Sequence, residues 1–133
     1  MNFFLDNTFA PRVARALAIL LDPLDHGVAH LLDMWKPDPG DPVWIPELVK
    51  KPPGNWIVLS GDRKLSTNPQ RQAAIREAGH VLFVMPGGLP ERPLFEQASL
   101  LFRWFPKIVE HSTRAKRKQG FRVQMNGSVH RIP

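Results

Sequence analysis

Cysteine is absent from the chain, which excludes both a disulfide framework and a thiolate zinc site. Any metal must therefore be held by carboxylates, amides, water or histidine, a donor set that favours hard cations such as Mg²⁺ or Mn²⁺. Long apolar runs are also missing. The longest extends from Ala16 to Leu21, far short of the roughly 20 residues a membrane-spanning helix needs. The opening Met1-Asn2-Phe3-Phe4-Leu5-Asp6 has no basic leading region and meets a charge directly after its apolar residues, so it does not read as a signal peptide. The expected location is the cytoplasm, away from any membrane. Acids are scarce towards the carboxyl end: from Arg103 to Pro133 eight basic residues face the single acid Glu110, whereas the preceding residues carry ten basic and eleven acidic side chains. The net charge of +6 is thus concentrated in one segment. Such a segment is either a polyanion-binding surface, gaining from release of phosphate counterions, or a solvated basic face.

With 133 residues the chain is expected to form a single domain, residues 1–133, with residues 112–133 as a basic extension carrying a hairpin. Short apolar runs bounded by charge or turn residues predict strands over residues 2–5, 28–32, 56–60 and 81–85. Between them, helices are expected from Thr8 as cap to Pro23, from Asp41 as cap to Lys51, and from Asn68-Pro69 to Gly79. A longer amphipathic helix over residues 93–111 should be kinked or broken at Pro106. Asn126-Gly127 between Phe121–Met125 and Ser128–Ile132 signals a β-hairpin. The alternation of strands and helices predicts an α/β, three-layer architecture: a central parallel sheet of about four strands, helices on both faces, and a carboxy-terminal hairpin.

Three of the four strands stop at an aspartate, namely Asp6, Asp33 and Asp62, and Asp41 opens the helix between the second and third. Parallel strands point the same way, so these carboxylates are expected on one edge of the sheet, where ligands of such folds bind. Their mutual repulsion would be costly without a cation. One or two divalent ions there could activate water and stabilise charge developing on a phosphodiester. The alternative is local: aspartate also caps helices and ends strands through its own hydrogen bonds.

The succession Phe3-Phe4-Leu5-Asp6-Asn7 through Pro11-Arg12, Gly27 to Asp33, Asp41 to Leu48 and Ile57 to Arg63 resembles a minimal PIN-like nuclease of the VapC-type toxin group, over about the first 85 residues. The resemblance implies a divalent-metal endoribonuclease whose acids match Asp6, Asp33, Asp41 and Asp62, with Ser60 where such proteins keep a serine or threonine. It implies a PIN-like fold, RNA as substrate and a cognate antitoxin as protein partner. Glu47 could add or replace a metal ligand beside Asp6, Asp41 and Asp62. The sequence lacks the long helical insertion that carries the family's usual glutamate, and the basic hairpin lies outside the common pattern.

Candidate substrate contacts are Asn7 beside Asp6, Ser60, Arg12 one helical turn from Arg15, and Arg63, Lys64 and Arg71 just after Asp62. Arg63, Lys64 and Arg71 could hold phosphate or simply solubilise the surface, and Arg12 and Arg15 could bind phosphate or hold the acidic pocket in place. Arg114, Lys116, Arg117 and Lys118 could neutralise single-stranded RNA with Phe121 stacking on a base, although Phe121 suits a core position equally. His26 and His30 lack the His-Glu-x-x-His pattern and read as structural. A rival reading is a catalytically inactive nucleic-acid-binding module using the basic segment. Oligomeric state stays open, a homodimer included.

Overall fold

The computed structural model describes residues 1–133. Its strands are β1 (Asn2–Leu5), β2 (Gly27–His30), β3 (Ile57–Ser60), β4 (Val81–Val84), β5 (Gly120–Val123) and β6 (Val129–Ile132). They form one sheet in the order β2-β1-β3-β4-β5-β6. All neighbours pair in parallel except β5 with β6, which form the carboxy-terminal hairpin. The expected α/β three-layer class is what the chain adopts. The sheet is wider than the four parallel strands expected, because the hairpin joins it: Leu82, Phe83 and Val84 of β4 pair with Gly120, Phe121 and Arg122 of β5.

Why these segments become strands is visible in their alternation. Phe3, Leu5, Ile57, Leu59, Val81, Phe83, Phe121 and Val123 enter one apolar core, while Phe4, Val58, Leu82 and Val84 enter a second on the opposite face. A strand buried on both faces needs apolar residues throughout, and the period of two divides them between the layers. Helices α1 (Pro11–Leu21) and α6 (Leu94–Arg114) close the first face through Val13, Ala14, Leu17, Leu101, Trp104, Phe105 and Ile108. Helices α3 (Asp41–Leu48), α4 (Arg63–Ser66) and α5 (Pro69–Glu77) close the second through Trp44, Ile45, Leu48, Leu65 and Ile75. The short α2 (Leu31–Met34) adds Leu31 to the same side. No helix is long and apolar enough to cross a membrane.

Several boundaries differ from the sequence expectation for local reasons. Strand β2 stops at His30, because the His30 ring accepts from the Leu32 amide while Asp33 accepts from the His30 amide, a capping box that starts α2. Helix α1 is capped by Ala10, since Thr8 is engaged elsewhere. Gly40 precedes α3, so Asp41 occupies its first turn. Pro106 lies inside α6 without ending it, and the helix runs on to Arg114. Phe121 is buried and stacked on Phe83 with ring centroids 5.0 Å apart, which makes it a core residue and removes it from RNA contact. Phe83→Ala should therefore destabilise the fold by about 3–5 kcal/mol. Urea denaturation checks this, and an unchanged midpoint would contradict the pairing of core and hairpin.

The topology also fixes where a ligand can bind. From β1 the chain moves outward through α1 to β2, then returns across β1 through α3 to β3, so the direction of winding reverses between β1 and β3. In open α/β sheets the crevice at such a reversal, beyond the carboxyl ends of the strands, is the ligand position. Leu5 is level with Leu59, which places Asp6 and Ser60 side by side at that crevice. The last crossover is unusual. The connections through α1, α3 and α5 share one hand, but α6 carries the chain from β4 to β5 on the α1 face and so has the opposite hand.

Candidate active site

At the carboxyl edge of the sheet, alternation turns Asp6 and Ser60 towards the face covered by α3 and α5. Asp6 is only 6 % exposed. Its Oδ1 accepts from the Thr8 amide at 3.0 Å and from the Thr8 hydroxyl, and its Oδ2 accepts from the Ser60 hydroxyl. Ser60 Oγ in turn accepts from the Asp62 amide at 3.3 Å, and Thr8 Oγ1 accepts from the Gly61 amide at 2.9 Å. Two hydroxyls therefore lock the tip of β1 to the tip of β3.

Burial pushes the Asp6 carboxyl up to about 6, against the opposing effect of the Ser60 and Thr8 hydrogen bonds, and the neighbouring Asp41 charge adds to the rise. No cation pairs with Asp6. Removing the hydroxyl in Ser60→Ala should raise this pKa further, because a donor to the ionised form is lost. A carboxyl-carbon NMR titration measures it, and a midpoint at or below that of the wild type would contradict the role given to Ser60.

Asp41 and Asp62 approach the same place from α3 and from the cap of α4. Asp41 Oδ1 accepts from Trp44 Nε1 at 2.9 Å, and Asp62 Oδ1 accepts from the Lys64 amide at 2.9 Å. Each turns its Oδ2 to one nitrogen of Arg71, Nη1, at 3.7 Å and 3.8 Å respectively. Arg71 and Thr8 are the site residues that sequence reasoning undervalued. The Asp6-x-Thr8 spacing is the signal of a side-chain turn closing the strand tip, whereas the place of Arg71 after Asp62 suggests a phosphate contact and gives no sign of its pairing with Asp41 and Asp62.

The other candidates are not gathered here. Asp33 lies exposed on α2, its Oδ2 accepting from the His30 amide at 2.8 Å, and the aspartate charge acting on Asp6 is that of Asp41. Glu47 lies six residues beyond Asp41, about 9 Å along α3 and on another face. It pairs with Lys50 at 3.1 Å. Arg63 reaches Glu91 at 3.4 Å, Lys64 is exposed without an ion pair at the rim, and Asn7 and Arg12 are exposed. His30 is structural, with Nε2 bonded to the Phe9 carbonyl at 2.7 Å.

The basic segment lies at the opposite edge of the sheet. Arg117 Nε donates to the carbonyl of Gly79, just before β4 begins, and Lys118 N donates to the carbonyl of His80. Lys116, Arg117 and Lys118 thus precede β5 at the amino edge. Arg114, at the end of α6, pairs with Glu110. The length of the strands separates these four residues from Asp6. A parallel pairing of β5 with β4 dictates this placement.

The donor set fits a hard divalent cation. It consists of carboxylate oxygens from three separate elements, with one buried carboxylate whose charge no cation offsets. The side chains do not form a ready-made cage of three or more ligands, and Arg71 stands beside two of the aspartates.

A family model described as PIN-like domain matches residues 1–87, from β1 to just beyond β4. The chain belongs to the PIN-like domain family, whose fold is of the nuclease type. No curated protein and no solved structure matches the chain.

Proposed function

We propose that the chain is an endoribonuclease dependent on Mg²⁺ or Mn²⁺, hydrolysing RNA phosphodiester bonds with Asp6, Asp41 and Asp62 as metal ligands. The observation that carries this reading is Asp6: a buried carboxylate with no cationic partner, beside Asp41, at the switch point of an α/β sheet. A structural cap would not need such burial, as Asp33 illustrates by capping α2 while exposed. A bound divalent ion would lower the pKa of its water and offset charge developing on the phosphodiester.

The chain's own residues have distinct parts. Thr8 and Ser60 hold Asp6 with both oxygens directed, so that it meets the reacting centre without rotating. Trp44 and the Lys64 amide fix one oxygen each of Asp41 and Asp62, so a metal would be ligated by the other, which faces Arg71. Lys64 and Arg71 line a polar cleft of about 600 Å³ with Thr67, Asn68 and Gln70, suited to a backbone phosphate beside the acids. The resemblance of the first 85 or so residues to VapC-type toxins supports a further reading: action in the cytoplasm as the toxin of a toxin–antitoxin pair, restrained by a cognate antitoxin.

The test is cleavage of a labelled single-stranded RNA with Mn²⁺, with Mg²⁺ and with EDTA. Cutting in either metal that disappears in EDTA supports the assignment. RNA binding without cutting in any metal would instead favour the inactive binding module.

A further inference from the structure

We propose that Arg71 is a gate coupling the two ligands of the site: it holds Asp41 and Asp62 while substrate is absent, and a substrate phosphate draws it away and frees both carboxylates for the divalent ion. This rests on the nuclease reading above and assigns a positioning role to a residue outside the metal-ligand set.

Four observations lead to it. First, helix stability does not account for Arg71. It occupies the first turn of α5, where the helix dipole disfavours a cation, whereas Arg76 stands in the favourable last turn. Its charge is accounted for by the two aspartates.

Second, the competition is atom for atom. The oxygens that face Arg71 are the Oδ2 atoms of Asp41 and Asp62, and the Oδ1 atoms are already committed to Trp44 and Lys64. A cation entering between the aspartates needs the same two oxygens.

Third, the hold is loose. Nη1 lies 3.7 Å and 3.8 Å from the carboxylates, within ion-pair range but beyond hydrogen-bond length, and the arginine side chain is 40 % exposed. Exposed pairs of this kind contribute little, so a better anion can take the side chain. A phosphate is a better anion for arginine, because the planar fork donates two parallel hydrogen bonds.

Fourth, the destination is adjacent. Arg71 belongs to the wall of the polar cleft that contains Lys64, Asn68 and Gln70, and also to the neighbouring cleft containing Asp41. A small rotation of one side chain carries the guanidinium from the acids to the phosphate path.

Linkage makes the consequence quantitative. If phosphate removes a competitor of the metal, each ligand must tighten the other by the same factor, and couplings of this sort run to about 5–150-fold. The experiment is calorimetric titration of Mn²⁺ into the full chain, alone and with a short phosphorothioate RNA that remains intact. Wild type is expected to bind Mn²⁺ about fivefold more tightly when the RNA is present, the low end of that range, in keeping with a loose hold. Arg71→Gln is expected to bind Mn²⁺ more tightly than wild type without RNA, and to gain nothing further from adding it. Equal Mn²⁺ affinity of the two proteins without RNA, or an undiminished RNA effect in the variant, overturns the gate and leaves the nuclease reading standing. Absence of Mn²⁺ binding from both proteins under both conditions overturns the nuclease reading, and the gate with it.

Discussion

Asp62→Asn is expected to lower metal-dependent RNA cleavage by about three orders of magnitude while leaving the fold in place. The size follows from the several kcal/mol of charge stabilisation that a bound metal supplies, at 1.36 kcal/mol per tenfold in rate. Folding is spared because asparagine caps helices as well as aspartate does, so the 2.9 Å bond from the Lys64 amide survives. Asp41→Asn should behave similarly, as its bond from Trp44 needs only a carbonyl oxygen. The measurement is single-turnover cleavage in Mn²⁺, with circular dichroism to confirm the fold. Near-normal cutting by both variants would show that catalysis lies elsewhere on the molecule.

Asp6→Asn should change how stability depends on pH. Folded Asp6 keeps its proton up to about pH 6, whereas the unfolded chain releases it near 3.8. As pH rises through that interval the unfolded state loses its proton first, so stability falls, and above about 6 the loss is complete. At 1.36 kcal/mol per pKa unit the penalty is about 3 kcal/mol at neutral pH. The asparagine variant avoids this charge penalty but offers one acceptor oxygen where Asp6 uses two. The expected change is therefore in pH dependence: in EDTA its melting temperature should lose the decline that Asp6 contributes between about pH 4 and 6.

His80 produces a slope of opposite sign. Burial, with Arg117 nearby, lowers its pKa from 6.5 to about 4. Its Nδ1 accepts from the Trp56 amide at 3.0 Å, and its buried Nε2 has no partner. As pH falls below 6.5 the unfolded chain takes up a proton that folded His80 refuses, so stability declines towards about pH 4. The Asp6 and His80 slopes oppose each other over this interval. Asp6→Asn should therefore expose a decline towards acid, and His80→Asn, which keeps an acceptor for Trp56, a decline towards neutral pH. Melting temperatures of the metal-free proteins between pH 4 and 7 decide this. An Asp6→Asn variant with the same pH profile as the wild type would contradict the buried-charge account.

What could be read from sequence divides along physical lines. Phe3-Phe4-Leu5 and Ile57-Val58-Leu59 were legible as strands, because burial on both faces leaves no room for polar residues, and their tips at Asp6 and Ser60 followed directly. The continuation past His30 was not, because an apolar pair such as Leu31-Leu32 suits a strand or a helix. The choice is made by a histidine ring and a carboxylate acting as caps. Charge in the segment from Arg114 to Lys118 was equally legible, but its distance from Asp6 depends on strand order and direction, which local pattern does not encode. Arg71 illustrates the same limit. Its neighbours in the chain assign it to a helix, and only the packing of α5 against α3 sets it opposite Asp41 and Asp62.

The family match ends at residue 87, three residues past the last one of β4, although two more strands of the sheet lie beyond it. A fragment limited to the matched region would display the backbone of Leu82 to Val84 as an open ladder, with Phe83 stripped of Phe121 and of the α6 covering. Such an uncapped apolar border invites pairing between copies. The part of the molecule that carries Asp6, Asp41 and Asp62 thus depends for the cover of its sheet edge on a carboxy-terminal portion that supplies none of those acids.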